Sequence, residues 1–203
     1  MPYCPGQTLA SRPTLLFNAG TDSALRHLAF DHSWLALCAD GQRPDLLRFY
    51  RTQTCASVGR FQAIDRELRL AHCADRGIEV ARRITGGGAL YHDPRQMNFT
   101  LVLGDAKGSL ESNLKAACAA IIAALSEFSL EAGFKFPNDV EIEGRKIASV
   151  FAVVEQGVLL LQGILLLDVD IRAMLEALRV PTEKLSPDGL SAARDRFTTF
   201  SER

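Results

Sequence analysis

The sequence predicts an α/β protein of the α+β type, a mixed β-sheet packed with helices. Three observations carry that reading. Helical and strand-like segments are interspersed without the regular alternation of a wound parallel sheet. Several strand-like runs are joined by connections too short to hold a crossover helix. One of these is a Glu143-Gly144 turn between two apolar runs, with glycine supplying the positive φ that a tight hairpin needs. With 203 residues, 47% hydrophobic and 23% charged, the chain has the length and composition for one compact core, and residues 1–203 read as a single domain.

The elements follow in order. From Thr21 to Ala39, the residues Ala24, Leu25, Leu28, Leu35 and Cys38 recur at helical spacing, with Thr21 or Asp22 as N-cap and Gly41 as the stop. Leu46–Arg51 and Cys55–Gly59 read as short strands and Asp65–Arg76 as a helix. Ile78–Arg82 reads as a strand that enters Gly86-Gly87-Gly88, and Asn98–Leu103 as another. A long helix is expected from Leu110 to Leu130, where Ala117, Ala120, Ile121, Ala124, Leu125 and Phe128 form an apolar face. Val140–Ile142 and Lys146–Val154 flank the hairpin turn, and Val158–Asp168 is a further strand. Ile171 to Arg203 reads as helical to irregular.

Composition excludes several classes. The 23 Lys+Arg and 24 Asp+Glu leave a formal net charge of -1, so no basic field points to nucleic acid. Cys4, Cys38, Cys55, Cys73 and Cys118 are scattered and odd in number, which leaves at least one outside any intrachain disulfide and fits a reducing cytoplasm. The N-terminus lacks a signal-peptide pattern. The longest apolar stretches, near Val158–Leu161 and Ile164–Leu167, are too short to span a membrane.

Two segments carry chemistry. In Arg82-Arg83-Ile84-Thr85-Gly86-Gly87-Gly88-Ala89-Leu90-Tyr91-His92-Asp93, three glycines remove every Cβ from a short length of backbone. The chain can then approach a ligand and present N–H groups to an anion, while the two arginines could pair with phosphate. Alone, such a run is more often a flexible turn flanked by solvated arginines. In the second, Asn138-Asp139 can fix a loop or face a ligand or metal, and Lys146 follows the Glu143-Gly144 turn. A lysine there supplies a mobile ammonium to a nearby pocket, or simply points into water.

In combination, at this order and separation, the segments resemble the lipoate-protein ligase family. That family carries RR-x-[ST]-GGGA-x-x-x-D and then N-D before a G-x-K-[IV] turn, matched here by Arg82 to Asp93, Asn138-Asp139 and Gly144-Arg145-Lys146-Ile147. The resemblance extends through Leu47-Arg48-Phe49-Tyr50, Val58 to Gln62, Gly163 to Leu167 and Leu190 to Thr199. It implies the biotin/lipoate protein ligase catalytic-domain fold and an ATP-dependent ligase. Such an enzyme activates lipoate as lipoyl-AMP and passes it to a lysine of a lipoyl carrier domain. It further implies an ATP and lipoate site at Arg83, Thr85, Gly86, Gly87, Gly88, Ala89, Leu90, Tyr91, Asn138, Asp139 and Lys146. Lys146 is catalytic in that scheme, Mg2+ neutralises the triphosphate, and Asp139 supports the metal or Lys146.

The chain departs from that family at defined places. Many lipoate ligases continue Ser-Gly-Ser-Ala after the lysine turn, where this chain has Ala148-Ser149-Val150-Phe151; it also has Gln162-Gly163 where relatives often have His-Gly. Related octanoyl- and lipoyltransferases work without ATP through a cysteine, but Phe134 to Asn138 contains none and no cysteine follows Cys118. A transferase of that kind and a degenerate lipoate- or carrier-binding protein are the alternatives. Biotin-protein ligases match Phe136 to Lys146 but not the glycine block. The chain ends at Arg203 without a C-terminal accessory domain, so a bipartite ligase with a separate accessory protein, or a minimal one, is expected.

Overall fold

The computed structural model describes residues 13–179, 191, 192 and 194–203. Its main sheet has seven strands: β1 (Thr14–Asp22), β2 (Asp45–Thr52), β6 (Met97–Leu103), β7 (Gly133–Lys135), β8 (Asp139–Ile142), β9 (Arg145–Glu155) and β10 (Val158–Leu165), in the spatial order β1-β2-β6-β10-β9-β8-β7. The β1–β2 pair is parallel and every other neighbour antiparallel, so the sheet is mixed as the interspersed pattern predicts. A smaller sheet sets β3 (Cys55–Val58) between β4 (Glu79–Arg82) and β5 (Leu90–His92). The helices α1 (Ala24–Ala39), α2 (Ile64–Glu67), α3 (Leu70–Asp75), α4 (Leu110–Ser126) and α5 (Ile171–Ala177) accompany them.

Strand periodicity explains how the layers assemble. Along β10, Val158 and Leu160 enter the core beneath α1 while Leu159 and Leu161 enter the core beneath α4. Successive side chains point to opposite faces, so the Val158–Leu161 half of this central strand is apolar throughout and is covered on both sides. A third core joins β3 and β5 to α3 and α5 through Val58, Tyr91, Cys73 and Leu175.

Several boundaries differ from the sequence-based expectation. Ser23 caps α1, accepting from the Arg26 N–H, while Asp22 closes β1. The helix expected over Asp65–Arg76 is two short ones, because Leu68 leaves helical geometry to pair with Leu178 and the Arg69 N–H donates to the Ala177 carbonyl. Helix α4 stops at Ser126, and Ser129 turns the chain at φ +60°. Strand β10 stops at Leu165, after which Leu166 and Leu167 accept from the N–H groups of Phe200 and Ser201. Among the described residues no helix is long and apolar enough to cross a membrane.

Candidate functional site

Strand β4 delivers the chain into the glycine run and β5 carries it away, both paired to β3. The two arginines do not extend outward as free phosphate clamps. Arg82 Nη1 donates to the carbonyls of Gly59, Arg60 and Gln62 at 3.0, 3.1 and 2.8 Å. Arg83 is buried, donating through Nη1 to Ser57 Oγ at 2.7 Å and through Nη2 to the Gly88 carbonyl at 2.8 Å. Its guanidinium lies 4.7 Å from the Phe151 ring centroid, and burial pushes its pKa down to about 10. Both side chains thus tie the loop to its surroundings.

The three glycines have different reasons to be glycine. Gly87 adopts φ +93°, and a Cβ there would fall 2.2 Å from the Phe151 ring. Its carbonyl oxygen would lie 2.1 Å from a Cβ on Gly59, so the two loops touch backbone to backbone. At Gly86 and Gly88 a Cβ would meet nothing within 4 Å. The N–H groups of Gly86, Gly87 and Gly88 make no hydrogen bond among the described residues, so they remain available as donors.

The hairpin of β8 and β9 brings up the second motif. Glu143 and Gly144 both take positive φ, +51° and +75°, which matches the twist of the flanking strands. Lys146, 34% exposed, places Nζ 2.7 Å from Asp139 Oδ2, while Asp139 Oδ1 accepts from Ser149 Oγ at 2.5 Å. The Lys146 backbone is held by the C-terminal segment, donating to the Arg196 carbonyl and accepting from the Thr198 N–H. Asn138 donates through Nδ2 to the Val150 carbonyl and so fixes its loop.

The two motifs meet in a cleft of about 160 Å³. Its walls include Ala89, Leu90 and Tyr91 from the glycine segment, Lys146, Ala148 and Ser149 from β9, and Arg196 and Phe197 from the C-terminal segment. Of the residues singled out in the sequence, Ala89, Leu90, Tyr91 and Lys146 therefore share one wall system, with Asp139 bonded to two of its members. Thr85 and Asn138 stand apart from it: Thr85 is fully buried and donates to Gln162 Oε1 at 2.9 Å. Among the described residues no group of three or more His, Cys, Asp or Glu could hold a metal ion.

Leu90 and Ile164 also border a second, smaller cavity of about 20 Å³, lined by Arg83, Ser57, His92, Tyr50 and Phe151. Here Arg83 donates to Ser57, the Ser57 hydroxyl lies 2.9 Å from His92 Nε2, and His92 Nδ1 lies 3.0 Å from Asn98 Oδ1. With Nδ1 carrying the proton, every bond in that row has one donor and one acceptor. Burial, aided by the Arg83 charge, pushes the His92 pKa down to about 4 and keeps the ring neutral.

A network that sequence reasoning missed lies behind the glycine block. Arg48 Nη2 donates to Asp31 Oδ1 at 2.5 Å, and Gln162 Nε2 and Thr100 Oγ1 both donate to Asp31 Oδ2 at 2.8 Å. Burial raises the Asp31 pKa, against the pull of Arg48. Through Gln162 and Thr85 this buried ion pair is wired to the base of the glycine loop. Gln162 thus serves the interior at a position where a titratable residue would be a hazard. Phe151, the bulkiest of the departures after Lys146, is the ring beneath Gly87 and Arg83.

A family model described as the lipoyl protein ligase A/B catalytic domain matches residues 23–202. The chain belongs to that family. It is 32% identical over 156 residues to the lipoate-protein ligase LplJ of Bacillus subtilis, which covers 77% of this chain and 47% of the relative. It therefore spans about half the length of that ligase. It is also 26% identical over 208 residues to the octanoyltransferase LipM of Brevibacillus brevis, covering 89% of this chain and 75% of that one. Among solved structures, the bi-partite lipoate protein ligase of Thermoplasma acidophilum superposes with a TM-score of 0.74 at 26% identity, over 93% of this chain and 74% of that one. The fold is that of lipoate ligase catalytic domains, and the family contains both ligases and octanoyltransferases.

Proposed function

We propose that this chain is an ATP-dependent lipoate-protein ligase, which joins lipoate to AMP and transfers the lipoyl group to a lysine of a lipoyl carrier domain. The observation that carries this reading is the convergence of Lys146 with the Ala89–Tyr91 backbone in one cleft, beside glycine N–H groups that have no partner among the described residues. Unpaired backbone donors suit a phosphate. A single ammonium lets two anions, the lipoate carboxylate and the α-phosphate, approach each other.

In the first step a lipoate oxygen bonds to the α-phosphorus, the bond to the bridging oxygen breaks, and pyrophosphate departs. Lys146 leaves Asp139 and donates toward both reacting anions, while Gly86 and Gly88 leave room for the phosphates. Mg2+ suits the site as a cation carried in largely by phosphate and water oxygens, with Asp139 as the carboxylate available to it, and it supplies charge neutralisation. In the second step the carrier's lysine amine attacks the acyl carbonyl, its proton is lost, and AMP leaves. No protein nucleophile is required. An acyl chain directed past Leu90 and Ile164 has to displace side chains of the inner wall, since that cavity has room for about one water.

The octanoyltransferase reading is the second one, favoured by the likeness to LipM. A thiol nucleophile must be accessible and of lowered pKa. Cys38, Cys55, Cys73 and Cys118 are all buried, and burial pushes Cys55 up to about 12 and Cys118 up to about 11. Cys4 lies outside the described residues. The test offers a purified lipoyl domain two donors, lipoate with ATP and Mg2+, or an octanoyl-loaded carrier protein alone. Modification from lipoate and ATP supports the ligase, and modification from the loaded carrier without ATP rejects it for the transferase.

A further inference from the structure

Gln96 immediately precedes β6, and its side chain is one of three polar groups in alternate positions, Gln96, Asn98 and Thr100, that are all buried. Their hydrogen bonding declines along the row. The Thr100 hydroxyl is bonded to Asp31. Asn98 uses its Oδ1 with His92 but leaves Nδ2 without a partner among the described residues. Gln96 is 0% exposed and leaves both Oε1 and Nε2 without one. It is also a wall residue of the cleft that holds Lys146. A buried primary amide with neither end bonded is costly to maintain, and a ligand that offers a donor beside an acceptor relieves both ends at once.

We propose that Gln96 is a specificity-determining residue that reads the adenine edge of the nucleotide. The inference rests on the adenylating reading above. Among the groups brought together in that reaction, carboxylate and phosphate oxygens only accept, and a hydrocarbon chain does neither. The adenine edge sets an exocyclic N–H donor next to a ring-nitrogen acceptor, the arrangement a glutamine amide pairs with through two bonds. Oε1 accepts from the 6-amino group and Nε2 donates to the adjacent ring nitrogen. Lys146, in the same cleft, is then left to the carboxylate and the α-phosphate.

The test compares pyrophosphate exchange supported by ATP, by purine riboside triphosphate, which lacks the 6-amino group, and by 2′-deoxy-ATP, in the wild type and in Gln96→Leu. The wild type is expected to prefer ATP over the purine analogue by about 5- to 150-fold in kcat/KM, the range of one bidentate pair. In Gln96→Leu that preference should fall to nearly one, chiefly through KM for ATP. The variant should melt no lower than the wild type, because an apolar side chain replaces an unpaired buried amide. Gln96→Glu, which keeps the acceptor for the 6-amino group but sets a second oxygen against the ring nitrogen, should raise KM for both nucleotides and retain a preference for ATP. An unchanged preference in active, folded Gln96→Leu, or a selective loss against 2′-deoxy-ATP, would overturn the assignment and leave adenylation standing. If no nucleotide supports exchange in the wild type, adenylation fails, and this inference with it.

Discussion

One added methyl group, placed at Gly87 or at Gly88, separates what the glycine block does for the fold from what it does for a ligand. In Gly87→Ala the Cβ falls 2.2 Å from the Phe151 ring at a backbone φ of +93°. The left-handed backbone costs about 1–2 kcal/mol and the overlap about 1–3 kcal/mol more, since Phe151 is itself buried against Arg83. The reduced entropy of the unfolded chain returns about 0.4–1 kcal/mol. The net loss is roughly 2–4 kcal/mol, or a fall in Tm of about 5–15 °C for a chain of this size. Gly88 lacks the positive φ, and its Cβ would meet open space, so Gly88→Ala should stay within about 1 kcal/mol of the wild type. Its damage should appear in catalysis, because the methyl occupies space and hinders donors reserved for phosphate. Thermal melts and pyrophosphate exchange on both variants provide the readings. Equal destabilisation by the two substitutions would refute the loop geometry, and full activity in Gly88→Ala would refute a ligand at that position.

Further outcomes follow from the same interactions. Lys146→Ala should fold normally and form no detectable lipoyl-AMP by mass spectrometry, whereas near-normal adenylate formation would remove the proposed mechanism. Asp31→Asn leaves the Arg48 guanidinium buried without its carboxylate and should cost about 3–5 kcal/mol in urea denaturation; a loss below about 1 kcal/mol would show that the pair is not buried as described. His92 has a folded pKa near 4 against an ordinary 6.5, so the unfolded chain binds the extra proton in that window. The stability from its neutral form is complete above pH 6.5 and is lost as pH falls to about 4, roughly 3 kcal/mol in all. Urea midpoints across that range should show this slope, and His92→Gln should flatten it. Single Cys→Ala changes at Cys4, Cys38, Cys55, Cys73 and Cys118 should leave acyl transfer intact in every folded variant, and loss in one of them would revive a thioester route.

Much of this organisation is legible in the sequence, and the parts that are not have physical causes. Strand β10 and helix α4 follow from apolar periodicity, and the Glu143-Gly144 turn from its residue types. Strand β1 was not evident, because its leucines are exposed at an edge and the pairing with β2 shifts register after Asn18. The α2–α3 break depends on Leu68 meeting Leu178, a contact more than a hundred residues away. In the site, motif order indicated that Lys146 and the Ala89–Tyr91 segment belong together. It did not indicate that Arg82 and Arg83 spend their donors on nearby carbonyls, nor that Asn138 and Thr85 turn away from the cleft. Gln96 follows Pro94-Arg95 in a turn-like stretch and gives no local sign of burial, although its position three residues after the Asp93 of the glycine motif was a clue.

Lipoate-dependent exchange of pyrophosphate into ATP by the purified chain, with biotin and octanoate in parallel, tests the central claim most directly. The account predicts exchange with lipoate, none with biotin, and loss of exchange in Lys146→Ala. Absence of exchange with every acid, including in the presence of a candidate accessory domain, would contradict it and leave an ATP-independent transferase or a binding protein as the better description.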